Sequence, residues 1–336
     1  MYGSGRKARA LRLIAMEEAF AIPQLQAGYP VPRTATAAHW VEHWAARLCD
    51  YTRHRLPDMD EHGIDIQVLS LTAPGVQCLT DARQAITDAR VANDHLADVI
   101  AAHPARFRGL AALPLQDPEA AVAELHRAVG SLGLSGALVN DHTAGSYLDD
   151  PRYEPVWAAL EDLDVPLYLH PGAPPTETWR VLAGRPELQG PLWSWAAETG
   201  GHALRLIFGG VFDRHPRATV ILGHLGEFLP FQLARLDSRY ARQAHQPLAR
   251  KPSEYFGGNI LITTSGVCSP AALAGAVLAI GADAIMFAVD YPFEDTAEAV
   301  RFLEQAPISD TDRAKIGHSN AERVLHLHSR PDPPRM

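Results

Sequence analysis

Cysteine, long apolar runs and clustered positive charge are all scarce in this chain, and each scarcity removes a class of protein. Cys49, Cys78 and Cys268 are the only cysteines among 336 residues, with neither CxxC spacing nor an accompanying histidine pattern. A disulfide framework and a thiolate zinc site are therefore not indicated, and a reducing cytoplasm is the expected home. No apolar run approaches the roughly 20 residues needed to span a bilayer. With a formal net charge of -9 and no long basic run, the chain lacks the footprint of a nucleic-acid or anionic-membrane binder, which leaves a small molecule as the expected partner. The first apolar run is not followed by a Gly-rich dinucleotide fingerprint, which counts against an open doubly wound sheet.

What is present is alternation. Eight short β-rich runs recur: 11–20, 64–71, 107–114, 136–140, 166–171, 218–226, 259–266 and 285–292. Most are continuously apolar, as expected of parallel strands covered on both faces. Between them lie segments with helical spacing, such as Ile86, Ala89, Leu96 and Val99, ending near His103-Pro104. Asp117-Pro118, Asp150-Pro151 and Ser269-Pro270 each set a capping side chain before a proline at the first helical position. Ser309-Asp-Thr-Asp312 resembles a capping box opening a last helix through about Val324. The expected fold is a closed (β/α)8 TIM barrel occupying residues 11–328, with insertions at about 21–55 and 172–201. Residues 1–10 read as a flexible extension and 329–336 as a flexible tail. The leader is basic, but Glu17 and Glu18 interrupt the apolar segment behind it, so it does not read as a signal peptide. Long loops at the catalytic face of a barrel build pockets and lids. The tryptophans of the two insertions, Trp40, Trp44, Trp179, Trp193 and Trp195, suit that role or subunit contact equally.

Four runs end in residues that bind metals or move protons: Glu17 on the first, His170 on the fifth, His224 on the sixth and Asp290 on the eighth. A barrel carries such strand ends to one mouth. Alone, each has a plain structural explanation, a turn cap for Asp290 or a satisfied core residue for either histidine. Together, carboxylates and imidazoles suit one divalent cation such as Mn2+, Zn2+ or Mg2+. Glu227, three residues after His224 at the expected opening of the next helix, can fix that imidazole's tautomer, or simply favour a helix amino end. Arg235, further along, reads as an anion clamp or a surface ion-pair member.

Met16-Glu-Glu-Ala-Phe-Ala21, Leu169-His-Pro171, Gly223-His-Leu-Gly-Glu227, Thr263-Thr-Ser-Gly266 and Val289-Asp-Tyr-Pro-Phe-Glu294 resemble the metal-dependent aromatic decarboxylases of the amidohydrolase superfamily. That group includes 2,3-dihydroxybenzoate, gamma-resorcylate and 5-carboxyvanillate decarboxylases. The resemblance implies a single divalent metal ligated by Glu17, His170 and Asp290, with substrate and water completing the shell. It implies a homodimer or homotetramer acting on a small aromatic carboxylic acid. Hydrolases of the superfamily open with His-x-His, whereas here Glu17 and Ala19 hold those places. His224 is then expected at the margin of the ligand set, oriented by Glu227 and bonded to a phenolic oxygen or a water. Asp290 is expected to protonate the ring carbon that loses carbon dioxide. Local motifs divide between the 5-carboxyvanillate branch (Asn140-Asp-His-Thr143) and the dihydroxybenzoate branches (Gly209 to Phe231), leaving the ring substituents open. A metal-dependent hydrolase of a lactone or amide, and a non-catalytic binding protein, are the alternatives.

Overall fold

The computed structural model describes residues 11–29, 36–174 and 179–327. The expected extension and tail lie outside the described residues. Among the described residues nine parallel strands alternate with helices: β1 (Ile14–Phe20), β2 (Ile66–Leu71), β3 (Phe107–Gly109), β4 (Ala111–Ala112), β5 (Ala137–Asn140), β6 (Leu167–His170), β7 (Val220–Leu222), β8 (Ile260–Thr263) and β9 (Ile285–Met286). The pairing order is β1-β2-β3 in one sheet and β4 through β9 in the other.

The two sheets are one cylinder. β3 and β4 belong to a single expected run that breaks at Leu110, whose N–H donates to Leu69 while Ala111 N–H donates to Gly136. At the opposite seam, Met16 N–H reaches the Phe287 carbonyl at 3.0 Å and Ala19 N–H reaches the Tyr291 carbonyl at 2.8 Å. Eight strand positions thus close a barrel, as the sequence pattern predicts. The eighth run forms a regular strand only over Ile285 and Met286, because the N–H groups of Val289 and Tyr291 turn to the Glu18 carboxylate instead of a backbone ladder.

Strand alternation explains the unbroken apolar runs. Ile14, Met16, Val68, Leu138, Tyr168, Ile221, Leu261 and Met286 fill the barrel interior. Their neighbours Val139, Leu167, Leu169, Val220, Leu222, Ile260 and Ile262 face the outer helices. Both faces are dry, and each such side chain contributes about 1.5–3 kcal/mol on burial.

The helix caps follow the sequence, with one interruption. Asp117 accepts from Glu119 N–H and Ala120 N–H at 3.1 Å, and Ser269 accepts from Ala272 N–H at 3.3 Å. Ser309 caps Asp310–Ala314, but a π-helical turn over Lys315–Ser319 then separates that piece from Asn320–Val324. No helix among the described residues is long and apolar enough to cross a membrane.

Candidate active site

Glu17 is the hub of the barrel mouth. Pairing of β1 with β2 slips between Ala15 and Glu18, and such a bulge re-aims the side chains around it. One oxygen, Oε2, is saturated, because the Tyr168 and Ser265 hydroxyls donate to it and Thr263 Oγ1 donates at 3.3 Å. The other, Oε1, is buried without a hydrogen-bond partner. His170 Nε2 lies 3.5 Å from it and His224 Nε2 3.9 Å. His224 Nε2 is also 3.6 Å from Asp290 Oδ2, and Glu17, His224 and Asp290 present ligand atoms within 4.8 Å of one another. The sequence sets His224 at the margin of the ligand set; in the structure its Nε2 lies within 4 Å of both Glu17 and Asp290, whereas His170 lies that close to Glu17.

The two imidazoles are held differently. His170 Nδ1 lies 2.9 Å from the Pro171 carbonyl, which can only accept, so the proton sits on Nδ1 and Nε2 offers a lone pair. His224 Nδ1 instead lies 2.7 Å from the buried carboxylate of Glu227. Burial opposes a charge on His224, but Glu227 and Glu17 outweigh it and hold the imidazole protonated well above its ordinary range. Glu227 itself is pushed up by burial, with His224 pulling the other way. Burial would also lift Glu17, yet His224, His170 and the hydroxyl bonds hold it below the usual carboxylate range. Asp290 goes up, through burial and the charge of Glu17, against the pull of His224.

The backbone under this cluster is unusual. His224 to Phe228 run left-handed, with φ of 50, 52, 77, 52 and 66°, and only Gly226 among the five is glycine. Glu227 is therefore not at a helix opening, contrary to the sequence expectation. The next helix, Leu233–Tyr240, begins after a further turn at Leu229–Phe231. Left-handed backbone costs roughly 1–2 kcal/mol per non-glycine residue and persists where the surroundings over-determine it. Here the His224–Glu227 bond, a Gly226 N–H bond to Gly223 at 2.7 Å and a His224 N–H bond to Ser265 Oγ at 3.0 Å do so.

Both insertions bring an aromatic ring to this mouth. Trp44 packs edge-on against Phe293, three residues beyond Asp290, at 5.2 Å between ring centroids. Trp193 stacks on Phe228 at 5.5 Å. Arg235 lies elsewhere: it is exposed and lines a groove of about 410 Å³ with Leu204, Phe208 and Tyr240 rather than facing the Glu17 cluster. Arg55, from the first insertion, is wholly buried, donating to Gln67 Oε1 and the Ala19 carbonyl and lying 4.4 Å from the Tyr291 ring centroid.

Sequence reasoning assigned no role to Tyr168, Thr263 or Ser265. The signal was available, since Tyr168 shares a strand face with His170, and Thr263 with Ser265, at a spacing of two. Asp141 and His202, a fully buried pair at 2.7 Å, left no such signal, being 61 residues apart.

The donor set fits a divalent cation. An unpartnered buried carboxylate oxygen, a second carboxylate and a free imidazole lone pair are what a hard or borderline ion takes. Similarity to known proteins agrees. A gamma-resorcylate decarboxylase of Rhizobium sp. (strain MTP-10005) is 46% identical over 326 residues, covering 94% of this chain and 98% of the relative. A crystal structure of 2,6-dihydroxybenzoate decarboxylase from Rhizobium superposes with a TM-score of 0.88 at 45% identity, covering 94% and 99% of the two chains. A dihydroxybenzoic acid decarboxylase from Polaromonas sp. JS666, solved with bound manganese and the inhibitor 2-nitroresorcinol, gives 0.89 at 42% identity, covering 97% and 99%. The sequence profile of the amidohydrolase family matches residues 31–327, and this chain belongs to that family.

Proposed function

We propose that the protein catalyses metal-dependent, non-oxidative decarboxylation of an ortho-hydroxylated benzoate, with 2,6-dihydroxybenzoate the first candidate. The observation that carries the reading is the unpartnered Glu17 oxygen facing two imidazoles, with Asp290 Oδ2 3.6 Å from one of them. The activities of relatives at 42–46% identity support this substrate class. Glu17, His170 and Asp290 would hold a divalent cation, Mn2+ before Zn2+ or Mg2+, which would supply Lewis-acid stabilisation of the anionic substrate.

The side chains do the rest. Tyr168, Ser265 and Thr263 fix Glu17 so that a single oxygen is on offer. His224, kept protonated by Glu227, donates a hydrogen bond to the phenolic oxygen. Entry of an anionic substrate raises the proton affinity of Asp290 further, through like charge. Asp290 gives that proton to the ring carbon bearing the carboxylate. A C–H bond forms, the C–C bond breaks with its electron pair returning to the ring, and carbon dioxide leaves. Asp290 then takes its next proton from solvent.

Asp290→Asn is expected to lower turnover by about 10^2-fold or more while substrate affinity stays within about threefold. Ultraviolet loss of a hydroxybenzoate panel reads the first quantity and difference titration the second; comparable turnover in the variant rejects the assignment. Ring or ester opening of a lactone panel without gas evolution would favour a hydrolase. The exposed rings of Trp193, Phe228 and Phe231 support a homodimer or homotetramer, which sedimentation checks. A cytoplasmic location accords with the three free thiols.

A further inference from the structure

Glu18 has no part in the chemistry above, yet it is fully buried beside Glu17. Both of its oxygens go to one task. Oε1 accepts Val289 N–H at 3.0 Å and Oε2 accepts Tyr291 N–H at 3.2 Å. Those residues flank Asp290, whose own N–H is taken by the Glu17 carbonyl at 3.1 Å. Three successive N–H groups are thus gathered by two successive residues of β1.

Asp290 sits at φ +78°, in the left-handed region that residues other than glycine seldom occupy. A chain that passes through that region can turn neighbouring N–H groups into one concavity, and such a concavity binds an anion. Here the group seated in it is the Glu18 carboxyl, one oxygen to each N–H. Arg55 braces the same segment, its guanidinium 4.4 Å from the Tyr291 ring centroid; burial pushes the Glu18 carboxyl up to about 8, against the pull of the Val289 and Tyr291 N–H groups and of Arg55. Strained backbone of this kind lasts only where its surroundings over-determine it.

We propose that Glu18 is a positioning residue for the decarboxylation: by holding the two peptide N–H groups on either side of Asp290, it fixes the direction from which the Asp290 carboxyl meets the substrate. The inference rests on the reading of Asp290 as proton donor. Its consequence is specific, because Glu18→Gln preserves volume but has a single acceptor oxygen and turns an NH2 toward an N–H donor. One of the two bonds is then lost, and Asp290 can swing.

The test uses full-length, manganese-loaded Glu18→Gln with 2,6-dihydroxybenzoate, with turnover expressed per manganese-loaded chain from metal analysis. Misplacement of a reacting group by about 1 Å can cost on the order of 10^2-fold in rate, so kcat is expected to fall about 10- to 100-fold while KM and manganese content stay within about threefold. A role in folding alone would lower the melting temperature and the fraction loaded but leave kcat per loaded chain unchanged, and a kcat within about twofold of wild type overturns the proposal. Glu18→Asp, which keeps the carboxyl group but falls one methylene short, carries the same expectation and the same refutation if the amide variant does not load metal. Asp290→Asn runs in parallel. Surviving turnover there removes the reading of Asp290, whereas a dead Asp290→Asn beside a fully active Glu18→Gln removes the positioning role alone.

Discussion

Glu227→Gln separates the charge of the Glu227 side chain from its shape. The carboxylate lies 2.7 Å from His224 Nδ1 and is buried, whereas the amide of glutamine has the same size and can still accept from that nitrogen. A charge-assisted hydrogen bond contributes about 1.5–3 kcal/mol against about 1 for a neutral one, so the substitution removes roughly one pH unit of stabilisation from the imidazolium, and up to two if the bond is lost. The sign follows from the direction of the shift. Glu227 favours protonated His224 and holds its proton affinity up; without it the imidazole loses its proton at lower pH, and the alkaline limb of kcat against pH moves down by about one to two units. The same linkage acts on stability. A raised histidine contributes in full below its ordinary value of 6.5 and ceases to contribute as pH rises through the higher folded value, so the stability gap between wild type and variant is widest in mildly acidic buffer and closes in alkaline buffer. That gap is small, a few degrees of melting temperature, because glutamine also sheds the burial cost that pushes the Glu227 carboxyl up. The assay is ultraviolet loss of 2,6-dihydroxybenzoate across the pH range. An alkaline limb within about 0.3 unit of wild type would refute the pairing as the source of His224's charge.

Tyr168→Phe removes one of the hydroxyls that occupy Glu17 Oε2, and manganese affinity is expected to fall about 10- to 100-fold, as read by chelator competition. Gly223→Ala would place a methyl 2.7 Å from Glu17 Oε2 and 3.1 Å from Ser265 Oγ; manganese content per chain should fall while far-ultraviolet circular dichroism is unchanged. Dialysis against a chelator should abolish turnover and Mn2+ should restore it, with no loss of secondary structure, because the barrel interior is apolar and does not depend on the ion.

How far each feature was legible follows from the range of the forces that set it. Strand runs, their ends at Pro171 and Pro292, and the Asp117 and Ser269 caps are products of local sterics and alternation, and they read directly from neighbouring residues. The cradle on Glu17 was half legible: a spacing of two sets Tyr168 with His170 on one face, but not which carboxylate receives the hydroxyl. The left-handed turn at His224–Phe228 was not, since four of its five residues avoid that backbone region on their own. Nor was the burial of Arg55, a cation in a polar stretch that reads as loop.

The amino-acid order alone determined a closed barrel of parallel strands and which strands end in acids and imidazoles, because a pattern of period two or 3.6 is enforced within each segment. Tertiary structure alone decided which oxygen of Glu17 is left free, that Asp290 and the turn after His224 are held left-handed, and that Glu18 grips a peptide 273 residues away. Those outcomes depend on contacts across the barrel mouth and at the seam where the last strand closes on the first, and no local preference encodes contacts that exist only once the cylinder has closed.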